Sequence, residues 1–120
     1  MSDLARKKCR PCEGGAPALS PEEAERYMPE VPGWKLAPDG KSIACRFVMK
    51  NFLAAVDFIA QIARVAEAED HHPDIHLTAY RNLTVVLATH ALEGLSENDF
   101  IVAAKIRELK GEFKENPYQE

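Results

Sequence analysis

Residues 42–68 read SIACRFVMKNFLAAVDFIAQIARVAEA, and a change of period inside this stretch sets the fold class. Through residues 42–50 the side chains of Ile43, Cys45, Phe47 and Met49 alternate with those of Ser42, Ala44, Arg46 and Lys50, the period-two pattern of a strand with one covered face. From Asn51 onward Phe52, Val56, Ile59, Ala63 and Ala66 recur at helical spacing. This predicts a long amphipathic helix that Asn51 caps and that runs to about Ala68.

Working outward from this junction, Pro38-Asp39-Gly40-Lys41 supplies turn formers between residues 35–37 and the strand at 42–50, a hairpin. Ser20-Pro21-Glu22-Glu23 is a helix start with a cap, a proline at the first helical position and a capping-box glutamate; that helix ends before Pro29. On the other side residues 75–80 and 83–90 alternate again, parted by Arg81-Asn82, and predict a second hairpin. Ser96 with Asp99 at the box position opens a closing helix whose expected buried stripe is Val102, Ile106, Leu109 and Phe113. The order is α-β-β-α-β-β-α. Two antiparallel hairpins and three helices that need a shared apolar surface predict an α+β domain: a four-stranded antiparallel sheet with three helices packed on one face.

A chain of 120 residues suits one domain. Residues 1–19, rich in Lys, Arg, Gly and Pro and without apolar period, are expected to be a flexible or loosely docked arm, with the folded domain over residues 20–120. The arm holds a lone C-x-x-C, Cys9 and Cys12, half of what a structural zinc normally requires, and its removal is expected to change activity little. Cys45 falls on the alternating strand as a small core residue. With 46% apolar and 28% charged residues the chain resembles a globular protein, and a net charge of -4 with interspersed signs argues against a nucleic-acid surface. No apolar run approaches a membrane span, and the N-terminus is charged where a signal peptide would be apolar, so the expected location is cytoplasmic.

All four histidines, His71, His72, His76 and His90, fall between residues 71 and 90. A pocket of imidazoles holds both proton donors and acceptors near neutral pH, so acid–base chemistry is the natural use. A metal site is the sharper rival, since Asp70, Asp74 and His76 are close in sequence. The spacing fits no standard ligand motif, and adjacent His71 and His72 tend to point in different directions; no metal is expected. Glu67 and His71, four apart, would share a face of a helix continued that far. His76 shares parity with Thr78 and Tyr80, opposite Ile75, Leu77 and Ala79, as on a solvated strand face.

Glu67, then His71-His72-Pro73, then Tyr80, then Thr89-His90, then Gly94-Leu95-Ser96-Glu97 with Asp99 resembles the signature of the pterin-4a-carbinolamine dehydratase family over about residues 20–110. The resemblance implies homodimers or homotetramers that take a small pterin as substrate, with no cofactor, no nucleic acid and no membrane as partner. It implies that His71, His72 and His90 are catalytic, with His71 and His90 as proton donors and His72 orienting. Glu67, Ala88, Thr89 and Asp99 are the expected substrate-binding residues, the backbone around Ala88 to His90 reading the pterin's amide and amine edge and Arg81 meeting a polar substrate tail. The implied reaction loses water from 4a-hydroxytetrahydropterin to give quinonoid dihydropterin. The alternatives are a non-catalytic dimerisation or coactivator-type interaction module and a pterin-handling protein of molybdopterin metabolism.

Overall fold

In the computed structural model, which describes residues 3–11 and 17–118, the main elements are α1 (Pro21–Tyr27), β1 (Lys35–Leu36), β2 (Ile43–Val48), α2 (Phe52–Glu69), β3 (Asp74–Thr78), β4 (Asn82–Leu87) and α3 (Glu97–Arg107). They form the α+β arrangement expected from the sequence. The four strands lie in the order β1-β2-β4-β3, each pair antiparallel, with β2 and β4 at the centre. Ile43, Cys45 and Phe47 stand opposite Leu87, Val85 and Leu83, and all six are buried on the face that the helices cover. Both predicted caps on the first two helices form. Ser20 and Glu23 exchange hydrogen bonds at the start of α1, and Asn51 Oδ1 accepts the Ala54 N–H at 2.8 Å.

The apolar stripe of α2 is rotated from the expected one. The residues turned to the core are Ala54, Ala55, Phe58, Ile62 and Ala66, whereas Phe52, Val56 and Ala63 are exposed and Ile59 is half-buried. The helix carries two apolar stripes, and aromatic packing selects between them: Phe58 lies 5.1 Å from the Phe47 ring and 5.3 Å from Phe113. Phe113 itself does not belong to α3, which ends at Arg107. The chain turns back at Gly111, where a Cβ would come within 2.6 Å of the Phe113 ring, and Phe113 pairs with Met49 just beyond β2. Leu109 is likewise beyond the helix, half-buried against the core. Nearly every residue of α3 from Asn98 to Ile106 is buried, because the N-terminal segment packs on it: Leu4 is buried there and Lys105 Nζ donates to the Ala5 carbonyl at 2.8 Å.

Residues 3–11 are thus docked on the domain, while Cys12, the other half of the C-x-x-C, lies outside the described residues. The second hairpin turns earlier than expected, at Ala79 and Tyr80, both with positive φ, and Asn82 already pairs with Thr78. Arg81 is engaged at the junction of β2 and α2. Its Nε donates to the Met49 carbonyl at 2.9 Å, its terminal nitrogen to the Lys50 carbonyl, and its guanidinium lies over the Tyr80 ring. No helix among the described residues is long and apolar enough to cross a membrane.

Phe58 joins α2 to the sheet and to the returning C-terminal segment, so Phe58→Ala should destabilise the fold by about 3–5 kcal/mol. Urea denaturation of the two proteins checks this, whereas exposed Phe52→Ala should cost much less.

Candidate active site

Two helix termini and one strand end build the site. At the end of α2, Asp70 takes the left-handed conformation (φ 51°), its N–H reaching the Ala66 and Glu67 carbonyls, and the His71 N–H donates to the Ala66 carbonyl at 3.1 Å. This closes the helix in the manner usual for a glycine and turns the chain sharply. His71 consequently turns inward, its side chain only 12% exposed, and His72 turns outward. Pro73 favours extended backbone at His72, and β3 begins directly after it.

The inward histidine meets a buried acid. His71 Nε2 lies 2.6 Å from Asp99 Oδ1, while Asp99 Oδ2 accepts the Thr89 hydroxyl at 2.8 Å and the Ser96 N–H at 3.0 Å. Asp99 is fully buried in the first turn of α3, where a helix N-terminus favours negative charge. An ionised carboxylate only accepts hydrogen bonds, and opposite one the His71 imidazole is the third donor through Nε2–H. Thr89, at the end of β4, also binds the Ser96 hydroxyl at 2.7 Å, and its N–H donates to the Gly94 carbonyl at 2.7 Å. That bond closes a short loop whose turn, His90–Leu92, holds His90 exposed at the rim.

Between these elements lies a cleft of about 450 Å3, within the ~300–1,000 Å3 usual for small-molecule sites. His71, His72, His90, Ala88 and Thr89 all line it, as do Glu69 and Asp70. The remaining expected residues lie elsewhere. Asp99 sits behind His71, out of a substrate's reach, and Glu67 pairs with His72 Nε2 at 2.5 Å on the exposed side of α2 instead of with His71, because the left-handed turn at Asp70 breaks the helical spacing. Both acids therefore hold histidines. The backbone of Thr89 is engaged within its loop, and His76 is exposed on β3, outside the cleft.

Sequence reasoning missed Cys9, Arg10, Pro11 and Asn98, which with Ala91 complete the lining. No local signal marks them, since their mutual contacts join positions nearly the whole domain apart. Cys9 N–H donates to Glu69 Oε1 at 2.8 Å. Burial and then the adjacent Glu69 carboxylate push the Cys9 thiol up to about 12. Burial alone would raise the Glu69 carboxyl, but the Cys9 N–H and the Lys105 and Lys8 cations outweigh it and hold the group below its ordinary range. Among the described residues no three His, Cys, Asp or Glu side chains cluster as a metal-binding group.

A family model described as pterin 4 alpha carbinolamine dehydratase matches residues 17–109. The chain belongs to this family. The pterin-4-alpha-carbinolamine dehydratase 2, mitochondrial, of Arabidopsis thaliana is 41% identical over 115 residues, covering 93% of this chain and 62% of that protein. A protein of Azoarcus sp. (strain BH72), whose name assigns it provisionally to the same dehydratases, is 41% identical over 112 residues, 93% of this chain and 95% of its own length. Among solved structures, a transcriptional coactivator/pterin dehydratase from Brucella melitensis superposes with a TM-score of 0.70 at 34% identity, over 75% of this chain and 95% of that one. A dehydratase is a carbon–oxygen lyase, and that is the enzyme class of the family.

The raised thiol of Cys9 is neutral, and so unreactive, throughout the working pH range, becoming a thiolate only as pH approaches the folded value. Alkylation at pH 8, resolved by site with mass spectrometry, should modify Cys9 at least about tenfold more slowly than the same cysteine in the unfolded chain.

Proposed function

We propose that this chain is a 4a-hydroxytetrahydropterin dehydratase that returns quinonoid dihydropterin to cofactor recycling, working through His71, His72 and His90. The observation that carries this reading is the convergence of these three side chains, from the end of α2 and from beyond β4, on one cleft. The reaction needs little else. A hydroxyl at C4a leaves poorly until it is protonated. An imidazolium, His71 or His90, gives its proton to that hydroxyl as the C4a–O bond breaks, and the N5 lone pair closes the C4a=N5 double bond. The N5 proton passes to the neutral imidazole of the other residue. One proton is given and one taken, so water and quinonoid dihydropterin are the products and the two histidines have exchanged roles.

The supporting residues suit this scheme. Asp99 fixes which nitrogen of His71 exchanges protons, and His72, tethered by Glu67, is free of that task and suits binding and orientation. Ala88 and Thr89 form the strand-end floor against which a flat ring would rest. In this reading residues 20–120 form the dehydratase domain, with residues 3–11 docked against it, and the protein works in the cytoplasm. Exposed Phe52, Leu53 and Val56 on α2 support a homodimer or homotetramer, since such a patch on an isolated subunit is costly in water.

His71→Ala and His90→Ala should each lower kcat for synthetic 4a-hydroxytetrahydropterin about 100-fold while the folded circular dichroism spectrum is kept. Unchanged rates in both would instead favour the interaction module. Turnover should be indifferent to a chelator; activity lost to chelation and restored by zinc would reject the metal-free scheme. Asp99→Asn should reduce kcat at least about tenfold at nearly constant KM. For the assembly, Leu53→Glu and Val56→Glu should lower the sedimentation mass, and an unchanged mass in both would remove α2 from the interface.

A further inference from the structure

We propose that residues 9–11 of the N-terminal segment form one wall of the substrate cleft and that the Asn98 side chain locks this wall in place, so that pterin affinity depends on it. The inference rests on the dehydratase reading of the same cleft, and adds to it a recognition element outside the residues 17–109 that carry the family match.

The lock is a two-point grip on one residue. Asn98 Oδ1 accepts the Arg10 N–H at 3.0 Å, and Asn98 Nδ2 donates to the Arg10 carbonyl at 2.6 Å. A side-chain amide offers one acceptor and donors at a fixed spacing, and so matches the N–H and C=O of a single peptide residue as a neighbouring strand would. Cys9 adds two contacts, its N–H to Glu69 Oε1 and its thiol to the Asn98 carbonyl at 3.6 Å.

The start of the segment is fastened independently of this grip. Leu4 and the Lys105 bond to Ala5 already fasten the start of the segment, whereas Arg10 and Pro11 are exposed and bury little apolar surface. The bonds act where the segment borders the cleft. Their anchors also sit beside the site's own supports: Glu69 lies two residues before His71, and Asn98 directly precedes Asp99. The wall is therefore held in register with the histidines opposite. A proline ring beside polar backbone suits a flat heteroaromatic ring with a polar edge. Releasing the wall opens the cleft on one side and leaves His71, His90 and the Asp99 bonds untouched, so the effect falls on affinity more than on turnover.

The test compares full-length wild type with Asn98→Ala, which removes both Asn98 side-chain bonds to Arg10, and with Arg10→Pro, which removes the donated N–H together with the Arg10 side chain and spares the interior of α3. The readouts are kcat and KM for 4a-hydroxytetrahydropterin, and Kd for oxidised biopterin, a non-reacting pterin, by fluorescence titration. Both variants should raise KM and Kd about tenfold, the loss of one or two hydrogen bonds, with kcat within about twofold. Wild-type turnover accompanied by unmoved KM and Kd in both variants would overturn this inference alone. A wild-type protein that neither dehydrates nor binds the pterins would overturn the dehydratase reading and this inference with it.

Discussion

A carboxylate taken wholly out of water is the constraint on which the rest of the site depends. Burying the Asp99 charge would cost several kcal/mol without partners. The partners come from three separate elements: His71 from the exit of α2, Thr89 from the end of β4 and Ser96 from the cap of α3. Losing any one leaves a buried acceptor short of a donor. The need to satisfy one carboxylate thus holds two helix ends and a strand end in fixed relation, and the cleft is the space that remains between them.

The geometry at Asp70 decides how two adjacent histidines divide their work. Had α2 simply continued, His71 would have stacked over Glu67 on the helix surface. The left-handed residue ends the helix, directs His71 to Asp99 and leaves Glu67 to His72. Asp tolerates this conformation better than most side chains, at a cost of about 1 kcal/mol relative to glycine. The outcome is one imidazole in a defined tautomer and a second held by an exposed acid.

The helix that carries this junction has two apolar faces. One, around Phe58 and Ile62, is covered by the sheet and the returning Phe113; the other, at Phe52, Leu53 and Val56, is open. The open face and the histidine turn belong to the same rigid helix, so an assembly formed through α2 would hold its histidine turn in a fixed relation to the subunit interface. The N-terminal segment, expected to be a flexible or loosely docked arm, bridges the last turn of α2 and the first turn of α3 beside the cleft.

The sequence by itself determined the element order, the α+β class, the caps at Ser20 and Asn51, and the group of residues around His71, His72 and His90 that resembles the family. Those features are written in periods of two or 3.6 and in motifs a few residues long, so they are readable without coordinates. Only the tertiary structure decided which stripe of α2 is buried, because both stripes are apolar and the choice rests on Phe47 and Phe113. It likewise decided that the hairpin turns at Ala79 and Tyr80, that Asp99 and Glu67 support histidines where substrate contacts were expected, and that Asn98 grips Arg10. Each of these is settled by groups far apart in the chain competing for burial or for a hydrogen-bond partner, and such competition leaves no mark in local spacing.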